Sequence, residues 1–334
     1  MAVTGTYFYT TGAGNPKPTV CAYGAGRWAL LRGRGYRWGA MFPDLTLLDF
    51  FTKASLDPVP TVLIAVTTAL YLWGVRRLKA RGRQWPMQRT LFFLGGQFLL
   101  VVSLLSGLAA YDDISFSIHT IQHILLSMLA PVLFALSAPV TLLLQASNRR
   151  VQTGVLKVIH GPVGRVLSNP FFTWPLYGMS LFGLYFTNLY ADTLTNNTLH
   201  QFVHLHLLIT GCLFVWPVIS LDPLPRRLNY GIKILYLMLA VPFHTILGMA
   251  LESQTTPIAP HISLYDLHVG AAMMWVSGEA IGLIGTIAVF IQWLRADERQ
   301  ARRNDRVNEA AAAQQLALWR ATREAAARAA SSSA

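Results

Sequence analysis

The feature that most constrains this chain is a recurrence of apolar runs about 20 residues long, the length that spans a hydrocarbon core of roughly 30 Å. They fall at 58–75, 91–110, 117–145, 170–190, 199–220, 232–252 and 266–294. In lipid a backbone must satisfy its own hydrogen bonds, so each run predicts a helix. Charged residues are 13% of the 334 and apolar residues 53%, against roughly a quarter charged in soluble domains. The predicted fold class is all-α: a polytopic membrane protein with about seven transmembrane helices.

The formal net charge is +12, and its distribution says why. Six Lys and Arg lie between Arg76 and Arg89, four between Arg149 and Arg165, three between Arg226 and Lys233, and eight after residue 294. These are alternate connections. The other set carries Asp112, Asp113, Asp192, Glu252 and Asp266. Basic residues kept to alternate loops are a topology signal, so the charge argues for a lipid bilayer as partner and against nucleic acid. It places the N-terminus outside and the C-terminus inside.

Three regions follow. Residues 1–54 form an N-terminal extension, residues 55–294 the seven-helix membrane domain, and residues 295–334 a cytoplasmic Ala- and Arg-rich helical tail. Residues 1–40 contain no acid and hold Lys17, Arg27, Arg32, Arg34 and Arg37 on the expected outer side. They read either as a disordered extension or as a misassigned start, the true one being Met41, which leads into the plausible membrane-entering stretch Phe42 to Phe51. Residues 149–167 alternate basic and apolar positions, as an interfacial helix does. Two cysteines, Cys21 and Cys212, cannot build a disulfide framework or a Cys-x-x-Cys site.

The histidines carry the chemistry. Eight of nine map to the outer side: His119, His123, His200, His204, His206, His244, His261 and His268, leaving only His160 inside. Polar groups within a bilayer are costly and mark function. His119 and His123 are four apart, as are His200 and His204, so each pair stacks on one helix face about 5–6 Å apart. The predicted metal ligands are these four with His244 and His268. His206 and His261 are placed as their hydrogen-bond partners, and Asp266 as a carboxylate orienting His268 or His261. Pro242 should kink the sixth span beside His244 and aim its ring inward, and Pro131 and Pro139 should bend the third span. Met249 and Met274 offer thioether sulfur, and imidazole with soft sulfur but no thiolate favours copper, as Cu(I). Glu279 lies three turns below His268, about 16 Å deeper, too far for the outer site. A helix-packing hydrogen bond is its favoured role, a proton relay the other.

Ile118-His119-Thr120-Ile121-Gln122-His123, the Leu199-to-His206 run, Pro242-Phe243-His244 with Gly248, and Asp266-Leu267-His268-Gly270 leading into Met274-Trp275 and Gly278-Glu279 resemble CtaG-type cytochrome c oxidase assembly membrane proteins of Gram-positive bacteria, over roughly residues 55–295. The resemblance implies a multi-pass protein of the bacterial cell membrane that helps build a haem-copper oxidase. Its partners would be cytochrome c oxidase subunits, its role copper insertion at the outer face, and it would catalyse no turnover of its own.

Three other classes compete. Membrane di-iron desaturases and hydroxylases use histidine boxes, but His-x-x-His-His boxes on the cytoplasmic side. A haem-binding electron-transfer protein would pair histidines axially, usually at two depths. A metal or proton transporter needs polar groups along its whole path, and Glu279 alone is thin support.

Overall fold

The computed structural model describes residues 52–54, 57–219, 221–259 and 262–332, and every regular element among them is helical. The expected N-terminal extension and the proposed start at Met41 lie outside the described residues, as does His261. Among the described residues, six helices are long and apolar enough to cross a membrane: Pro58–Ala80, Met87–Tyr111, Phe116–Ala146, Asn197–Ile219, Tyr230–Glu252 and Leu264–Arg320. In finer division these contain α1 (Pro58–Ala80), α2 (Met87–Leu105), α3 (Leu108–Tyr111), α4 (Phe116–Ile124), a π-helical turn (Leu125–Leu129), α5 (Ala130–Ser137) and α6 (Pro139–Ala146). After them come α7 (Arg149–His160), α8 (Pro162–Leu167), α9 (Pro170–Phe186), α10 (Leu189–Thr195), α11 (Asn197–Ile219), α12 (Tyr230–Glu252) and α13 (Leu264–Ser332).

The remaining expected span is α9, whose 17 residues rise about 25 Å, the short limit for a crossing. It traverses the bundle all the same. Thr173 near its start bonds Tyr236 at 2.9 Å, and Tyr185 near its end bonds His123, close to the opposite end, at 2.8 Å.

The two ends of the bundle differ in charge. At one, Arg81 donates to the Gln145 carbonyl at 3.3 Å and Arg89 acts on Asp222. At the other, Gln201 donates to Asp57 at 2.7 Å, with Asp112, Asp113 and Asp266 nearby in the same layer of helix ends. The positive-inside tendency orients the basic end to the cytoplasm. Helices α7 and α8 bury none of their residues, as suits helices lying on the inner leaflet. The last helix runs from Leu264 to Ser332 without a break, so the Ala- and Arg-rich tail continues the last span as helix.

The third span is the irregular one. Its helix widens to the π turn two residues after His123, Pro131 opens α5, and Ala138 adopts a left-handed conformation (φ 49°) immediately before Pro139 opens α6. Both prolines thus sit at junctions, where their missing N–H costs least. Pro242, by contrast, sits inside the continuous helix α12.

Two aspartates from later in the chain, one on a span and one in a loop, hold the two starts of this broken span. Asp266, on α13, accepts from the backbone N–H groups of Phe116 at 2.5 Å and Ser117 at 3.2 Å, and from the hydroxyls of Ser117 and Ser115. Asp222, between α11 and α12, accepts from Val140 N–H at 3.4 Å and from Thr141 N–H and Oγ1 at 2.6 Å each. Helix N-termini present unpaired donors and positive dipole ends, and a carboxylate satisfies both.

Candidate metal centre

Packing of α11 against the third span creates the site. A Cβ on Gly211 would stand 2.2 Å from the carbonyl oxygen of Ser127 and 2.9 Å from Pro131 Cγ. Only glycine allows that approach. Ser127 lies in the π turn, and such turns recur at functional sites. Two and three turns above Gly211 are His204 and His200, facing His123 and His119 of α4. Gly270 plays the same part for α13, where a Cβ would meet the Phe116 ring at 2.5 Å and Thr120 Oγ1 at 3.0 Å.

The four rings form a rectangle. Centroids are 4.0 Å apart for His119–His123 and 4.3 Å for His200–His204 along the helices, and 6.1 Å across for both His119–His200 and His123–His204. All four are buried, as is Asp112. His200 sits between two carboxylates, Nε2 at 3.6 Å from Asp112 and Nδ1 at 3.3 Å from Asp113. Asp112, His200 and His204 each offer a ligand atom within 4.8 Å of the others. Tyr185 hydroxyl lies 2.8 Å from His123 Nδ1, and the Tyr190 ring packs 5.0 Å from that of His119.

Five imidazole nitrogens in this layer, both of His119, both of His204 and Nε2 of His123, have no hydrogen-bond partner in the protein. Burying a polar group unpaired costs about 1–3 kcal/mol, and native proteins leave few such groups. An ion bound among them would take one nitrogen from each of the three rings and so remove three of the five costs. With metal–nitrogen bonds of about 2.0–2.1 Å, one ion shared by four imidazoles sets neighbouring ring centroids about 5 Å apart, between the short and long edges of the rectangle.

The other sequence candidates lie elsewhere. His244 is buried but hydrogen-bonded at both nitrogens, to Tyr177 hydroxyl at 3.3 Å and to the Ala240 carbonyl. Its ring is packed so closely on α13 that a Cβ on Gly278 would stand 2.4 Å from it. His268 Nε2 donates to the Gln254 carbonyl at 3.0 Å. His206 bonds Ser180 at 2.8 Å, on a different face of α11 from His200 and His204. Asp266 serves the start of α4 rather than a histidine. Met249 is 60% exposed, and Met274 is buried in the main apolar cluster. Glu279 accepts from Thr245 at 2.8 Å, a packing bond between α12 and α13.

The sequence reading did not pick Asp112, Asp113, Tyr185, Tyr190 or Gly211 for the site. In sequence the two aspartates stand out as an acidic pair a few residues before His119, where charge alone marks them as topology signals. The two tyrosines and the glycine sit among apolar neighbours with no local signal.

A family model described as cytochrome c oxidase caa3 assembly factor (Caa3_CtaG) matches residues 69–296, which hold all four clustered histidines and both aspartates. An uncharacterized protein of Mycobacterium leprae (strain TN) is 33% identical over 278 residues, 78% of this chain and 42% of that protein. An uncharacterized protein of Mycobacterium bovis is 33% identical over 254 residues, 71% of this chain and 38% of that protein. The chain therefore spans about two fifths of the length of these curated relatives. No solved structure matches it.

Proposed function

The chain belongs to the cytochrome c oxidase caa3 assembly factor family, and on that premise we propose that it holds copper among His119, His123, His200, His204 and Asp112 and delivers it to an oxidase subunit. The observation that carries this is the set of five buried imidazole nitrogens without partners. Imidazole suits copper, zinc, nickel and iron; the family's client is a copper enzyme, which selects among them. The membrane would be the bacterial plasma membrane and the cluster would face its outer side. The role is one of carriage without turnover.

The oxidation state follows from the donors. Cu(I) was expected from Met249 and Met274, but the groups brought together are imidazoles and a carboxylate, which suit Cu(II) at least as well. Met249, exposed on the bundle surface, is no partner of a buried cluster.

Haem is a poorer occupant. A porphyrin held axially between His119 and His200 would have to pass through the His123–His204 layer, because those rings lie only 4.0 and 4.3 Å away. A purified protein with no Soret band is the expected result.

Metal analysis of the purified protein tests the proposal. His204→Ala combined with His123→Ala is expected to lower copper affinity at least 100-fold while the protein stays in the membrane, and His160→Ala to leave it unchanged. Cells lacking the protein should make oxidase polypeptides and haem but an oxidase deficient in copper, partly restored by excess copper. Full copper content in that oxidase would refute delivery.

A further inference from the structure

A buried ion must have a way in and out, and the cluster is closed on most sides. Phe116, which is fully buried, and Tyr190 cover His119. Tyr185 is bonded to His123. The close contact of Gly211 with Ser127 and Pro131 lies beneath. The carboxylates break the pattern: the Asp112 side chain is 3% exposed and that of His200 8%, but that of Asp113 is 27% exposed. Around that edge the surface is polar, since Asn196, Asn197 and Thr198 are exposed within a turn of His200, whose N–H donates to the Asn196 carbonyl at 3.0 Å.

Resting on the copper reading above, we propose that Asp113 is the port of the site: the residue through which copper passes between water, or a protein docked at this edge, and the buried histidines. The chemistry is ligand exchange. An arriving aqua ion trades water for the Asp113 carboxylate, a hard, weakly retaining donor for copper. It then trades that oxygen for Nδ1 of His200, 3.3 Å away, with the ring proton held on Nε2 beside the Asp112 carboxylate. His200 lies between the two carboxylates, so a turn of its ring with the ion on Nδ1 moves the ion from the side of the half-open aspartate to that of the buried Asp112 and His204. Donors run from one exposed oxygen to a nest of imidazoles, and affinity rises inward along that order. Release is the same path reversed.

A port residue sets rates without setting the equilibrium, and this separates it from a ligand. Copper would be supplied to the purified full-length protein as its glycine complex and removed with excess EDTA, with binding stoichiometry and thermal melting recorded for each variant. Asp113→Asn is expected to keep the copper stoichiometry and the melting temperature while slowing both loading and removal about tenfold. Asp192→Asn, which removes an exposed acid of the same end, is expected to change neither rate. Unchanged rates in Asp113→Asn would overturn the proposal. So would lost stoichiometry, which would make Asp113 a ligand, or equal slowing by Asp192→Asn, which would make the effect a general field. Wild-type protein that took up no copper at all would instead refute the copper reading itself, and is measured first.

Discussion

The two halves of the third span begin in the same way and differ in what lies behind them. At the outer start, Asp266 closes the N-terminus of α4, and behind it stand five imidazole nitrogens with no partner. At the inner start, Asp222 closes the N-terminus of α6, and the groups around it are matched: Tyr71 donates to the Ser137 carbonyl at 3.2 Å, Trp85 donates to Tyr71 at 3.1 Å, and Arg81 meets Gln145. Polar groups that serve architecture come paired, because each unpaired one would cost about 1–3 kcal/mol. A concentrated excess of unpaired donors and acceptors is better explained by a ligand than by the fold.

The sharpest way to break this comparison is to separate the helices at the outer end alone. Gly211→Ala places a methyl 2.2 Å from the Ser127 carbonyl, so α11 must move off the third span, at a cost of about 1–3 kcal/mol for overpacking. His200 and His204 move with it. The expected result is a lower melting temperature together with copper affinity reduced at least tenfold, read by chelator competition. Gly183→Ala, where a Cβ meets nothing within 4 Å, should change neither. If Gly211→Ala lowered stability but left affinity intact, the site would not depend on that approach.

An effect confined to affinity, with no loss of helix packing, is expected from Tyr185→Phe. When a metal takes Nε2 of His123, Nδ1 must carry the proton and donate to the Tyr185 oxygen, which fixes tautomer and ring orientation. Losing such a partner typically costs about 10–100-fold in metal affinity. No loss of affinity would mean that His123 binds through Nδ1 or does not bind at all.

How much of this was legible in the sequence follows from the range of each signal. The spans, the orientation and the two His-x-x-x-His pairs come from periodicity and charge within one segment, and the helices fall where the apolar runs put them. That His119 and His123 meet His200 and His204 depends on Gly211 and on a π turn, neither of which has a recognisable local pattern. His244 looked like a ligand because a buried histidine in a span is costly; that cost is met by Tyr177 and the Ala240 carbonyl, partners 67 and 4 residues away. Asp266 lay near two histidines in sequence, but its partners are Phe116 and Ser117, 150 and 149 residues away. The break at Ala138 was half legible, since Pro139 announced an interruption but not that Asp222 would cross from another loop to close it.

The smallest effects test the caps themselves. Asp266→Ala removes the carboxylate at the start of α4 and should cost about 1–2 kcal/mol, as cap removal does, with copper affinity falling severalfold because His119 sits one turn in. Asp222→Asn should cost about 1 kcal/mol or less and leave copper binding unchanged, since the amide oxygen can still accept from Thr141 and no metal donor is nearby. Its pH dependence is also set. Burial raises the Asp222 carboxyl above the ordinary aspartate value of 3.8, opposed by its hydrogen bonds to Thr141 and Val140 and by Arg89. A carboxyl whose folded value is raised contributes stability that is complete below its unfolded value and is lost as pH climbs through the folded one. Wild type should therefore gain melting temperature relative to Asp222→Asn as pH is lowered from neutrality toward about 4. A wild-type advantage that shrank on acidification would mean that the carboxylate's hydrogen bonds outweigh its burial, and that the inner cap depends on a full negative charge.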